Sequence, residues 1–211
     1  MCIVARGVDL SHHNGNVDFA RLSTSADFVI LKAGGSERKG HGYHKDVAFE
    51  EYYRKAKENH LNVGCYFFAG SDFSLSNCID DARYFWSLIQ GKQFEYPIYI
   101  DIEAQPTGRR ENLTSAICEF LDYLESHKLF VGIYASDISG FKERLYMDYL
   151  RPYTWWVARY GKHPEYATGK NLGIWQNSST GRISGVTGNV DTDISYVKFD
   201  DIIKKKHLNG F

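Results

Sequence analysis

Short apolar runs alternate with amphipathic stretches along most of the chain. The runs with strand character are Ile3–Leu10, Phe28–Ala33, Val63–Ala69, Tyr96–Ile102, Val131–Ala135 and Trp155–Ala158. Helical periodicity is found in Val47–His60, Cys78–Gln90, Leu113–His127 and Phe141–Leu150, with a last short helix predicted over Asp200–His207. Strands that alternate with helices of this length are typical of right-handed βαβ units around a mainly parallel sheet.

The C-terminal part of the chain does not follow this alternation. Leu172–Tyr196 contains Gly and Ser turn signals and extended pieces with no helix between them, which predicts hairpin strands. About five βα units followed by antiparallel strands favour an α/β fold of the irregular, TIM-like barrel type over an open sheet. Since no linker or repeat divides the chain, we expect one domain over residues 1–211, with no appended module.

Composition narrows the classes of function. The 211 residues include 25 Lys and Arg against 26 Asp and Glu, a formal charge of −1, so the broad basic field of a nucleic-acid or anionic-membrane binder is absent. No apolar run reaches the roughly 20 residues that span a bilayer. The opening MCIVARGVDL also lacks the features of a signal peptide. The chain has 15 Tyr, 13 Phe and 4 Trp, and this excess of rings indicates stacking surfaces for planar faces such as those of sugars.

The four cysteines lack metal-ligand spacing. Cys2, Cys65, Cys78 and Cys118 contain no CxxC pair, and a chain of this length buries enough core without covalent links. We therefore expect free thiols and no structural zinc.

Carboxylates follow several of the predicted strands. Asp9 ends the first strand, Asp101 and Glu103 end YPIYIDIE, and Asp191 follows Val190 in the last extended piece. Functional side chains of parallel α/β folds gather at the carboxyl ends of the strands, so we expect these four acids on one rim. Taken singly, each has the alternative role of capping a helix or pairing with a neighbouring charge.

The spacing of Asp101 and Glu103 favours a shared pocket. Residues i and i+2 of a strand point to the same face, and two close carboxylates cannot both ionise easily, so one pKa rises. A protonated acid beside an ionised partner is what cleavage of a glycosidic bond requires. The DxE pattern alone is common, but here it ends an otherwise apolar strand.

Metal chemistry is a competing hypothesis. His12 and His13 lie close to Asp9 in sequence, and an Asp–His–carboxylate set could bind a divalent ion and activate water. Their spacing matches no recognised metal motif. The chain also has no GxSxG, GxGxxG or phosphate-loop sequence.

Aromatic residues near the strand ends indicate the substrate class. Those expected to flank the acids are Tyr66, Tyr134, Trp156, Tyr160 and Trp175. Rings of this kind stack on the apolar faces of sugars, which predicts a glycan as the ligand. We expect Phe67 or Phe68, and one of Trp155 and Trp156, to fill the core instead.

The ordered set of segments resembles glycoside hydrolase family 25, the Chalaropsis-type lysozymes of bacteria, phages and fungi. The resemblance runs from about Gly7 to Tyr196. It rests on GVDLSHHNGNVDF, FVILKAGGS, NVGCYFFAG, YPIYIDIEA, VGIYAS, WWVARYG and GRISGVTGNVDTDISY, in this order and spacing. It implies a (β/α)5(β)3 barrel that hydrolyses the β-1,4 bond between N-acetylmuramic acid and N-acetylglucosamine in peptidoglycan, with retention and without a cofactor.

The resemblance also implies roles for individual residues. Glu103 would be the general acid, with Asp101 steering it or orienting the substrate N-acetyl group, and Asp9 and Asp191 would complete the catalytic cluster. The substrate-binding candidates are Tyr66, Tyr134, Trp156, Tyr160, Trp175, Gln176 and Asp193. No metal ligand is among them.

One position departs from the family pattern. Where the second strand commonly ends in Lys-Ala-Ser/Thr-Glu-Gly, this chain has Lys32-Ala33-Gly34-Gly35-Ser36. Gly35 thus replaces the usual carboxylate, and Glu37 is out of register to substitute for it. We expect activity to survive and contacts with the substrate to differ.

Two other functions remain open from the residues. One is a catalytically silent barrel that binds wall glycans; the other is a metal-dependent glycan deacetylase. The expected partner is the peptidoglycan glycan strand, with no nucleic acid and no membrane, and the oligomeric state stays undetermined. The expected place of action is the bacterial cell wall, reached from a host cytoplasm through a holin-type release or by another secretion route.

Overall fold

The computed structural model describes residues 2–36, 42–104, 106 and 108–211, and its centre is a closed barrel of eight strands. The barrel strands are β1 (Ala5–Leu10), β2 (Phe28–Ser36), β4 (Asn62–Phe68), β5 (Ile98–Asp101), β6 (Val131–Ser136), β7 (Thr154–Ala158), β8 (Leu172–Gly181) and β9 (Val190–Ser195). A ninth strand, β3 (Tyr43–Lys45), pairs with the end of β2 outside the barrel.

Strand pairing explains how the barrel closes. Each neighbouring pair from β1 through β2, β4, β5, β6 and β7 to β8 is parallel. Strand β9 then runs antiparallel between β8 and β1 and joins the two ends of the sheet. The predicted irregular barrel is confirmed, and the predicted C-terminal hairpin is β8 with β9.

Helices cover the outside of the first half of the barrel. They are α1 (Phe19–Leu22), α2 (Phe49–Glu58), α3 (Cys78–Ile89) and α4 (Arg110–Ser126), with α5 (Phe199–Lys205) at the C-terminus. Short 3-10 turns occupy His12–Asn14 and Gly169–Asn171. Among the described residues, no helix has the length and apolar character needed to cross a membrane.

Alternation along the strands separates two cores. Phe28 and Ile30 point into the barrel, where Trp156 also lies, whereas Val29 and Leu31 belong to the larger core between sheet and helices. This is the period of two expected of a strand covered on both faces. The outer core also holds Phe67 and Trp155. This agrees with the prediction that Phe67 or Phe68, and one of the two adjacent tryptophans, fills the core.

Aromatic rings fill the amino-terminal half of the barrel interior. Phe28 stacks on Tyr96 with ring centroids 4.3 Å apart, and Phe199 of α5 packs edge-on against Tyr96 at 5.4 Å. Helix α5 therefore closes this end of the barrel with apolar side chains. Cavities open at the other end of the barrel, where the parallel strands finish.

The helix predicted over Phe141–Leu150 is wrong. Residues Asp137–Lys142 form a π-helical turn that is followed by two helical residues, and from Leu145 the chain continues without a helix. Side chains of α4 engage the backbone groups that a helix would pair: the Tyr146 amide donates to the Thr114 hydroxyl at 3.1 Å, and Arg110 donates to the Leu145 carbonyl. The apolar periodicity of this segment reflects packing beneath α4.

The cysteines are free thiols, as predicted. Burial raises the pKa of the Cys65 thiol well above its usual range, which makes this residue an inert part of the core.

Truncating a ring of the outer core tests this packing. Phe120 of α4 is fully buried and contacts Phe67, Phe73 and Phe85 at centroid distances of 5.8–6.2 Å. We expect Phe120→Ala to lower the free energy of unfolding by about 3–5 kcal/mol in urea denaturation, because it removes apolar contacts and leaves a cavity. The control Val47→Ala, at a side chain that is 87% exposed, should change it by less than about 0.5 kcal/mol. A loss at Phe120 below about 1 kcal/mol would contradict this account.

Candidate active site

The strand ends bring the four predicted acids to one rim. Asp9 near the end of β1 pairs in register with Asp191 near the start of β9, so the reversed direction of β9 puts Asp191 at the same end. Asp101 is the last residue of β5, and Glu103 follows two residues later. Burial, followed by the negative charge of Glu103, raises the pKa of both Asp101 and Asp191, so Glu103 lies within electrostatic reach of each of these two acids.

A groove passes over this rim and contains two cavities. The larger, of about 750 Å³, includes Asp9, Asp191 and Tyr66 in its lining, and the smaller, of about 320 Å³, includes Tyr134 and Tyr160. Glu103 lines both cavities, and among the described residues it is the one side chain that does so. It is also exposed, in contrast to the buried Asp101. A glycan lying along the groove would therefore place one of its linkages at Glu103.

Burial dominates the protonation of the acids below the groove. Asp101 is 3% exposed, and its burial, together with the charge of Glu103, raises its pKa well above the usual range. The ammonium group of Lys32 acts in the opposite direction on this pKa. Asp101 Oδ1 has no hydrogen-bond partner among the described residues, which also favours a neutral carboxyl group.

Asp9 and Asp193 form a second buried pair of acids. Burial raises the pKa of Asp9 well above its usual range, and the charges of Asp193 and Asp191 raise it further. Burial likewise raises the pKa of Asp193 to about 8, although its hydrogen bond with Trp156 acts against this. Two carboxyl groups in one dry interior cannot both ionise without a large cost, so the pair retains a proton near neutral pH.

Gln176 connects the buried acids to the tyrosines of the groove. Its Nε2 donates to Asp9 Oδ2 at 2.8 Å, and its Oε1 accepts from the Tyr134 and Tyr160 hydroxyls at 2.8 and 3.1 Å. The amide is 3% exposed and has both ends fixed by these bonds. Gln176 therefore orients Asp9 from below and does not line either cavity.

Trp156 forms the boundary between the rings and the acids. Its indole Nε1 donates to Asp193 Oδ1 at 2.7 Å, and its ring lies 4.4 Å from Tyr134 and 5.8 Å from Tyr66 between centroids. At 1% exposure it supports the residues above it, and it lines neither cavity. Of the rings proposed to touch substrate, Tyr66, Tyr134 and Tyr160 line the groove.

The structure does not bring Trp175 into the groove. Because Gln176 points into the barrel, the adjacent Trp175 points outward, where its Nε1 donates to the Arg159 carbonyl at 2.7 Å and its ring lies 5.2 Å from His163. Side chains of β8 alternate between the inside and the outside of the barrel. Which of them point inward depends on the strand register, which the sequence alone does not show.

Several groove residues lie outside the set predicted from the sequence. Lys32, Ser36, His44 and Phe68 line the larger cavity, together with His13. The strand-end rule that selected the acids applies equally to Lys32 and Phe68. His44 lies on a strand of three residues, too short to produce a hydrophobic pattern.

The geometry around Gly35 explains its lack of a side chain. A Cβ atom at this position would lie 2.6 Å from the Phe68 carbonyl oxygen and 3.1 Å from His44 Cε1. The pairing of β3 with β2 places the His44 ring there instead. A carboxylate at position 35 would not fit this arrangement, and Glu37 lies outside the described residues.

His12 is bound within the fold. Its Nδ1 lies 2.7 Å from Asp46 Oδ2, and its ring lies 3.9 Å from that of His13. Within the described part of the chain, no group of three or more His, Cys, Asp or Glu side chains has an arrangement that could hold a metal ion.

Comparison with known proteins identifies relatives of this chain. The model of the family described as Glycosyl hydrolases family 25 matches residues 8–186. An uncharacterised protein YegX of Escherichia coli strain CFT073 is 25% identical over 194 residues, which span 89% of this chain and 68% of that protein. The autolytic lysozyme of Clostridium acetobutylicum is 26% identical over 189 residues, or 89% of this chain and 55% of that enzyme. The crystal structure of the CTP1L endolysin superposes with a TM-score of 0.80 at 27% identity, covering 96% of this chain and 70% of that one.

Neutralising Asp193 tests the protonation of the buried acids. The pKa of Asp193 is about 8 in the folded chain and near 3.8 when unfolded, so its contribution to stability is complete below pH 4 and is lost as the pH rises through 8. We expect the free energy of unfolding of the wild type to fall between pH 5 and pH 8, and the fall to be smaller in Asp193→Asn. Urea denaturation at both pH values measures this. Equal slopes in the two proteins would show that Asp193 ionises normally.

Proposed function

Because this chain belongs to glycosyl hydrolases family 25, we propose a chemical role for each acid of its groove. The chain is a glycoside hydrolase with the activity of a lysozyme, a muramidase of peptidoglycan. The proposed reaction is hydrolysis of the β-1,4 bond between N-acetylmuramic acid and N-acetylglucosamine, with Glu103 as the general acid.

The position of Glu103 between the two cavities carries this assignment. A general acid must reach the oxygen that joins two sugars, so it has to lie between the sites that hold them. Glu103 lines both cavities and is exposed, whereas the side chain of Asp101 lies below the surface of the groove. A buried carboxyl group without access to the glycan cannot deliver its proton to the leaving oxygen.

The other acids adjust the charge around Glu103. Asp191 is partly exposed in the larger cavity, where an ionised carboxylate stabilises the positive charge of an oxocarbenium-like transition state. Asp101 and Asp9 hold protons more readily than ordinary carboxyl groups, so they add little repulsion when Asp191 ionises. Of the four acids, Glu103 and Asp191 therefore form the reactive pair at the surface, and Asp9 and Asp101 form a largely neutral layer below them.

The shape of the groove supports attack within a glycan strand. Cavities of about 750 and 320 Å³ lie on the two sides of Glu103, and tyrosines line both. Sugar residues on both sides of the cleaved bond can therefore bind, with ring faces against Tyr66 on one side and Tyr134 or Tyr160 on the other.

The substrate sets the place of action at the bacterial cell wall. Release from a host cytoplasm through a holin, or secretion by another route, stays a prediction. Association with nucleic acid or membrane is not proposed.

Replacing the proposed acid by its amide is the direct test. We expect Glu103→Gln to reduce the release of reducing ends from purified peptidoglycan by about 10²–10⁴-fold, because an amide cannot donate the required proton. Its thermal unfolding should match that of the wild type. In the wild-type digest, mass spectrometry of borohydride-reduced fragments should show reduced muramic acid at the new ends.

A matched control removes an exposed acid elsewhere. Glu58 pairs with Arg54 on the surface of α2, and Glu58→Gln should retain full activity. If Glu103→Gln stays within about threefold of the wild type, the acid has been assigned wrongly, since general acid catalysis contributes far more. Reduced glucosamine at the new ends would overturn the bond assignment and keep the chemistry.

The stereochemical course provides a separate prediction. We propose net retention, so the first product of a soluble oligosaccharide should carry the β configuration at its new reducing end. Proton NMR within the first minutes, before mutarotation, distinguishes the anomers. Initial appearance of the α-anomer would instead indicate direct attack by water from the opposite face.

A further inference from the structure

The larger cavity contains N–H donors that the proposed chemistry leaves without a role. Three of these donors belong to basic side chains, those of His13, Lys32 and His44, hereafter the groove donors. The same cavity holds Asp9, Glu103 and Asp191, so donors and acids face one bound sugar together. Carboxylates only accept hydrogen bonds, whereas an ammonium group only donates them and an imidazole ring has at least one N–H that donates. The cavity is thus equipped to hold a ligand group that consists of acceptors.

A buried carboxylate fixes the two segments that carry the histidines. Asp46 is 2% exposed and follows β3 directly, and its Oδ2 accepts from the His12 amide at 3.1 Å and lies 2.7 Å from His12 Nδ1. The Asp46 amide donates in turn to the Ala33 carbonyl of β2 at 3.0 Å. The turn with His13 and the strand with His44 are therefore tied to the barrel and to each other before any ligand binds.

Contacts near Gly35 and Phe68 hold the side chains of His44 and Lys32 at the cavity. Without a side chain at Gly35, the His44 ring lies over the backbone at the end of β2 and borders the cavity. Lys32 places its Nζ 4.5 Å from the centre of the Phe68 ring, and both residues line the same cavity. Each donor is thus held by the fold at the edge of the groove, which lowers the entropy cost of binding a ligand.

We propose that the groove donors select glycan whose muramic acid carries a free lactyl carboxylate, with His44 as the determinant of that preference. This inference rests on the proposed function. In the repeating disaccharide, the one carboxyl group is that of the lactyl group on muramic acid. Attachment of a stem peptide converts this carboxyl group to a neutral amide. Charge-assisted hydrogen bonds are about twice as strong as neutral ones, so the donors favour the carboxylate.

The preference places the enzyme after another reaction. Hydrolysis of the bond between the lactyl carbonyl and the stem peptide must supply its best substrate. In that step water adds to the carbonyl carbon, the C–N bond breaks, and the peptide leaves with a free amine. The carboxylate that remains on the glycan is the group the groove donors recognise.

Two matched substrates test the proposal. One is a peptide-free glycan tetrasaccharide with free lactyl carboxylates, and the other is the same tetrasaccharide with each carboxylate converted to its methylamide. We expect wild-type kcat/KM to favour the free carboxylate by about tenfold, the size expected of one charged hydrogen bond. In His44→Phe, which keeps a ring and removes the N–H donor, this ratio should fall to about two, because kcat/KM for the free carboxylate decreases more than kcat/KM for the methylamide.

Two further variants separate recognition from folding. His44→Gln retains an N–H donor and should keep most of the preference. Tyr43→Phe alters the neighbouring residue of β3, whose ring stacks on Tyr84 of α3 at 4.5 Å, and should leave the ratio near that of the wild type. Equal rates for the two substrates in the wild type would overturn the inference, as would an equal loss for both substrates in His44→Phe. If the wild type cleaves neither tetrasaccharide and releases no fragment from peptidoglycan, the proposed function itself is wrong.

Discussion

Burial of carboxyl groups inside a closed barrel is the constraint on which the rest of the site depends. Asp9, Asp101 and Asp193 are each at most 7% exposed, and an ionised carboxylate in such surroundings costs several kcal/mol unless donors compensate it. The Trp156 indole donates to Asp193 and the Gln176 amide donates to Asp9, and burial raises the pKa values of all three acids. The protonation of these three carboxyl groups is therefore set by the fold that buries them.

This constraint divides the acids into two layers. Aromatic rings occupy the closed end of the barrel, the buried acids lie above Trp156, and Glu103 and Asp191 reach the groove. Because the lower acids tend to stay neutral, the charge that meets a substrate is carried mainly at the surface. Removing Trp156 or Gln176 would alter this arrangement without touching the substrate, so these residues position the acids rather than act on the glycan.

The β2–β3 hairpin adds a feature that the barrel alone does not have. It extends β2 beyond the rim, places the His44 ring where a side chain at Gly35 would clash, and is joined through Asp46 to the turn after β1. The acids of the rim and the donors of the hairpin thus come from different parts of the fold. Because of this division, a change in the hairpin can alter contacts with the bound sugar without altering the chemistry at Glu103.

Much of this protein follows from its sequence because strands, helices and strand ends leave local patterns. Short apolar runs located six of the barrel strands, turn signals predicted the hairpin of β8 and β9, and the strand-end rule gathered Asp9, Asp101, Glu103 and Asp191 on one rim. The helix over Phe141–Leu150 was predicted wrongly, since side chains of α4, distant in sequence, pair with the backbone there.

The tertiary structure alone decided which side chains reach the groove. Trp175 and Gln176 are adjacent, yet the strand register turns one outward and the other inward. His44 enters the cavity through a three-residue strand that has no hydrophobic signature. The protonation of Asp193 likewise depends on partners from other strands. Local sequence patterns determine elements, whereas contacts between elements fix direction, burial and charge, because those depend on residues far apart in the chain.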